Sequence, residues 1–171
     1  MMMHKPEPAA YKQFYGKYIE LVDQEPILER LESLKDSTFE LLSNLNDQQA
    51  NYAYGPDKWT VKQVAGHLID AERTFAYRAL AFSRGQKELP GFEENEYVER
   101  SNSNNRTIKD LALEFKTIRE ANLYMLCAMT PEHIEARGIA NGKPIQVNTI
   151  IYIMAGHEVH HLNILKDRYG I

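Results

Sequence analysis

One cysteine in 171 residues, Cys127, has no partner for an internal disulfide. A reducing compartment suits such a chain. No apolar run approaches the ~18 residues that a membrane span needs. The opening stretch MMMHKPEPAA holds no apolar segment of the secretory kind. Lys and Arg gather into no stripe, and the formal charge is −4, which argues against nucleic acid as the main partner. No Gly-rich phosphate loop, serine-hydrolase elbow, internal repeat or low-complexity tract occurs. These absences leave a soluble, cytoplasmic protein as the expectation, with neither membrane nor nucleic acid as partner.

What is present is an ordinary globular composition, 43% apolar and 26% charged, in a chain long enough for one domain with a proper core. Residues 1–25 read as an N-terminal arm and 26–171 as a single domain. Residues 1–10 look loose. Residues 11–22, YKQFYGKYIELV, are broken by Gly16 and read as a short helix or a surface strap.

Four long amphipathic helices follow. The first starts near Pro26, with Ile27, Leu31, Leu34, Thr38, Leu41 and Leu45 as its seam. The second opens at Thr60, where Gln63 three residues on forms a capping box, and stops near Gly85. Its stripe is Val61, Val64, Leu68, Ala71, Phe75, Ala79 and Phe82, with His67 at the edge. A long connection over 86–106 holds a helical turn near 93–99. The third helix opens at Thr107, with Leu111, Phe115, Ile118, Asn122, Met125 and Met129 inward. Asn141-Gly142 predicts a small hairpin. The last helix runs from about Val147 to Tyr169. The fold class is therefore all-α, a four-helix bundle with a small hairpin before the last helix.

Its last helix carries the chemistry. Ile150, Met154, His157, His161, Ile164 and Arg168 fall on one face at spacings of 4, 3, 4, 3 and 4. Two imidazoles at i, i+4 project side by side, which suits two ligands of one metal ion. His160 lies about 60° to the side of His157 and reads as a supporting or surface group. His67 is the third ligand that another long helix offers, whereas His4 and His133 lie in the arm and in a turn. Three neutral imidazoles with an open position make a catalytic divalent-metal site, for zinc, nickel or iron(II). The competing reading is that each histidine is a hydrogen-bonded core residue. His157-Glu158-Val159-His160-His161 also matches the H-E-x-x-H helix of metalloproteases, with Glu158 as general base. No His or Glu follows it to complete that ligand set. Glu158 is kept as a candidate catalytic base on its own. Trp59 reads as a packing anchor and Cys127 as a small buried hydrophobe.

Several segments in this order resemble the DinB/YfiT-like superfamily. They are Lys58–Val64 leading into Gly66-His67-Leu68-Ile69-Asp70-Ala71-Glu72-Arg73, Leu89-Pro90-Gly91-Phe92, Ala140-Asn141-Gly142 and Ala155–Leu162. The likeness spans roughly Pro26 to Tyr169. It implies an up-down-down-up bundle, a homodimer, and a nickel or zinc ion on His67, His157 and His161. Activity in such proteins divides. Some are thiol-dependent S-transferases using a low-molecular-weight thiol, some are described as metal-dependent hydrolases, and many have no known activity. Thiol transfer to a small-molecule substrate is the expectation. Metal-dependent hydrolysis and a non-catalytic, metal-stabilised stress-response module are the alternatives.

Overall fold

The computed structural model describes residues 3–23 and 26–171; residues 1, 2, 24 and 25 of the expected arm lie outside the described residues. In chain order the elements are α1 (Pro8–Ile19), α2 (Ile27–Ser43), α3 (Asp47–Ala50), α4 (Val61–Ser83), β1 (Glu88–Leu89), α5 (Glu94–Arg100), α6 (Ile108–Cys127), α7 (Pro131–Glu135), β2 (Arg137–Ala140), β3 (Lys143–Gln146) and α8 (Val147–Tyr169).

Local signals start and stop these helices. Thr60 accepts from the Gln63 amide while the Gln63 side chain accepts from the Thr60 amide, opening α4. Thr107 accepts from the Asp110 amide, opening α6. Asn141 and Gly142, both at positive φ, turn β2 into β3. β1 adds a parallel strand beyond the predicted hairpin.

The four long helices form the expected bundle, and their directions explain the long connection. Gly66 lies against Ser103, Glu72 pairs with Arg119, and Leu80 shares a groove with Met125. Hence α4 and α6 run parallel. A chain leaving one such helix must return the full length of the bundle to enter the next. The segment from Arg84 to Thr107 does so, carrying β1, α5 and a 3-10 turn at Ser103–Asn105. α8 runs antiparallel to α4, since His157 meets His67 and the Tyr169 hydroxyl donates to the Trp59 carbonyl. No helix among the described residues is long and apolar enough to cross a membrane.

Residues 3–22 pack onto the bundle rather than lying loose. Met3, Tyr11 and Ile19 are buried in the same core as Ile150, Ile153 and Met154. α1 covers the outer side of α8, so α8 is buried all round from Thr149 to Glu158. The close approach is at Gly156. A Cβ there would lie 2.2 Å from the Tyr18 carbonyl oxygen. Backbone cannot swing aside as a flexible side chain can. Gly156→Ala is expected to push α1 off α8 at a cost of ~1–3 kcal/mol. That should lower Tm by about 5 °C at this chain length. A thermal melt matching the wild type would show that α1 does not dock there.

The inward face of α6 also differs from the expected seam. Ile108, Leu111, Ala112, Phe115, Arg119 and Leu126 are the buried positions. Ile118 and Met125 are only partly buried, because the helix turns Arg119 into the centre. Cys127 is exposed rather than buried.

Candidate metal centre

His67 comes from the second turn of α4, and His157 and His161 come from adjacent turns of α8. The two helices pack antiparallel, so the pair faces the single histidine. All three rings are buried. His67 Nε2 and His157 Nε2 are 3.0 Å apart. One nitrogen from each ring lies within 4.8 Å of the others. A tetrahedral ion bonded to imidazole nitrogens at ~2.1 Å holds its ligand atoms ~3.4 Å apart, a value between these two separations.

The electrostatics suit a cation. Burial, with the neighbouring His160, lowers the pKa of His67 to about 4. Burial, then His67 and His160, lowers that of His161 to about 3. Burial and the other histidines hold His157 well below its ordinary value. At neutral pH the three rings are therefore uncharged, with lone pairs free to bind.

Aromatic rings fix this cluster from outside. Trp59 lies against His67 at 4.9 Å between ring centroids. Tyr18 and Phe75 meet His157 edge-on at 5.3 and 5.5 Å. His160 is half-buried, edge-on to Tyr18 and His161, and stands outside the converging set. Clefts of 470 and 440 Å³ open elsewhere, beside Cys127 and beside Arg106, and neither is lined by the histidines.

Glu158 is not presented to the triad. Thr38 Oγ1 donates to its Oε1 at 2.6 Å, and Arg119 Nη1 lies 2.8 Å from its Oε2. Both oxygens are thus engaged on the α2 and α6 side. Burial raises its pKa, and the Arg119 charge opposes that rise. A carboxylate so held is not placed to serve as a base at the histidines.

Sequence reasoning missed Tyr18, because nothing in the local pattern shows that α1 folds back over α8. It also missed Arg119, Glu72 and Thr38 as partners. The available signal was a charged residue at a stripe position. Glu72 follows Leu68 by four on α4, and Arg119 follows Phe115 by four on α6. Arg73 pairs with Glu114 of α6.

Related proteins bear on this geometry. A protein of Geobacillus thermodenitrificans named "Putative metal-dependent hydrolase" is 28% identical over 148 residues, 82% of each chain. One of Oceanobacillus iheyensis with the same description is 22% identical over 142 residues, 81% of each chain. The solved structure of YfiT from Bacillus subtilis superposes with a TM-score of 0.69 at 19% identity, covering 98% of this chain and 94% of that one. YfiT is described as a probable metal-dependent hydrolase with an unusual four-helix bundle topology. The family model of the DinB superfamily matches residues 30–165, so this chain belongs to the DinB superfamily.

Proposed function

We propose that this chain is a metal-dependent hydrolase acting on a small molecule, with a divalent ion on His67, His157 and His161. The convergence of three buried, uncharged imidazoles from two antiparallel helices carries this reading. An all-imidazole donor set suits zinc, nickel or iron(II). Three protein ligands leave at least one coordination position open, and an ion there would polarise a carbonyl and activate water. The chain's own residues do the rest. The histidines add no negative charge, so the full charge of the ion faces the substrate. Trp59, Phe75 and Tyr18 limit water around the rings and hold them in place. Glu158, committed to Arg119 and Thr38, plays no proton-transfer part.

The relatives' names favour hydrolysis over the thiol transfer expected from family likeness alone. The two reactions need the same ligands, so the deciding experiment varies the thiol. Metal-free protein reloaded with zinc or nickel is assayed on a panel of esters and amides, with and without low-molecular-weight thiols. Hydrolysis predicts acid plus alcohol or amine released without thiol, and no release by His157→Ala. Turnover that consumes one thiol per product would replace hydrolysis by transfer. A metal-dependent rise in Tm without turnover in either arm would leave the ion a structural staple.

A further inference from the structure

We infer that Arg119 is a positioning residue for the metal centre, setting the register between the two ligand-bearing helices; this rests on His67, His157 and His161 being the ligands. Arg119 is only 1% exposed, although it carries a charge. Its Nε and Nη2 donate to the two oxygens of Glu72 at 2.8 and 2.9 Å, a bidentate pair. Its Nη1 lies 2.8 Å from Glu158 Oε2 and donates to the Leu31 carbonyl at 3.2 Å. Asn122 donates to Glu72 at 2.9 Å, and Thr38 donates to Glu158 at 2.6 Å. One side chain of α6 thus ties α2, α4 and α8 together.

The placement relative to the histidines gives this its consequence. Glu158 is the residue after His157. Glu72 lies five residues beyond His67 on the same helix, ~7.5 Å along its axis. Arg119 therefore grips each ligand helix close to its ligands, α4 by two hydrogen bonds that a shift of about 1 Å would break and α8 by a buried ion pair with Glu158. Apolar ridges tolerate slippage that such a network does not, since a broken bond leaves a buried charge uncompensated. Three imidazoles must meet at one point, and they come from the same two helices. Fixing that register prepares the convergence before any ion arrives.

Glu72→Gln and Glu158→Gln test this, since both keep side-chain shape and the two carboxylates pair with Arg119, Asn122 and Thr38 rather than with a histidine. Cobalt(II) is the probe, with affinity read by competition against a chromophoric chelator and ligand geometry by its visible absorption bands. Arg119→Lys keeps the charge and loses the fork. Leu126→Ala, two turns further along α6 and outside the network, supplies a destabilised control. The two Gln variants and Arg119→Lys should each bind cobalt about tenfold to a hundredfold more weakly than wild type, with altered bands. Leu126→Ala should lower Tm and leave both readouts unchanged. Folded Gln variants with wild-type affinity and spectrum would overturn the inference, as would an equal loss in Leu126→Ala. A wild type that binds no cobalt would overturn the ligand assignment and this inference together.

Discussion

Replacing His67 by alanine is expected to empty the metal centre. Elemental analysis of tag-free wild-type protein should find about one divalent transition metal per chain. His67→Ala and His161→Ala, purified alongside, should retain almost none. The magnitude follows from ligand count. Structural zinc sites of four ligands hold their ion by ~10–16 kcal/mol, so each ligand contributes ~3 kcal/mol, or more than a hundredfold in affinity. The fold should survive, because alanine at 67 loses an imidazole without burying a new polar group. Circular dichroism would confirm that the helices remain. His160→Ala is the matched control: its ring stands outside the converging nitrogens, so its metal content should equal that of wild type. Loss of metal from His160→Ala but not from His67→Ala would reverse the ligand assignment. No metal in the wild type after incubation with nickel and zinc salts would return all three rings to the core.

Much of this site could be read before the fold was known, for a physical reason. His157 and His161 share a turn-to-turn relation within one helix, and helix periodicity is local. His67 needed only its own stripe on α4. Capping at Thr60 and Thr107 and the turn at Asn141-Gly142 are likewise decided within a few residues. What stayed hidden depends on neighbours distant in the chain. The docking of α1 turns on Gly156 having no side chain where the Tyr18 carbonyl arrives, and a lone glycine in a helix carries no such message. Arg119 was hidden by its charge. Periodicity counts arginine as a surface residue, whereas two carboxylates from other helices make its burial favourable. The same partners turn the Glu158 carboxylate toward α2 and α6, although its place beside His157 suggested a base at the histidines. Periodicity does not give chain direction; the up-down-down-up order comes from the family resemblance, and the long 86–106 connection suits it because α4 and α6 run parallel.

Acid should destabilise the metal-free protein from pH ~6.5 downward, beginning above the ordinary carboxylate range. In the unfolded chain each imidazole takes up a proton near pH ~6.5. In the folded chain His67 resists protonation down to about 4 and His161 down to about 3, while His157 is also held well below its ordinary value. Between these limits the unfolded state binds protons that the native state refuses, so lowering the pH favours unfolding. The full stability is present above pH ~6.5 and is lost as the pH falls toward 4, by several kcal/mol across the three rings. Urea unfolding of the apoprotein at intervals from pH 7.5 to 4.5 measures it. A bound ion changes the profile in a defined way. It competes with protons for the same lone pairs, so the loaded protein should hold its stability to lower pH and then lose ion and fold together. In His67→Ala one of the three rings is gone, and the acid slope of the apoprotein should be shallower. A slope identical to wild type would place the acid-sensitive groups elsewhere, and the triad would not be the buried, neutral cluster that metal binding requires.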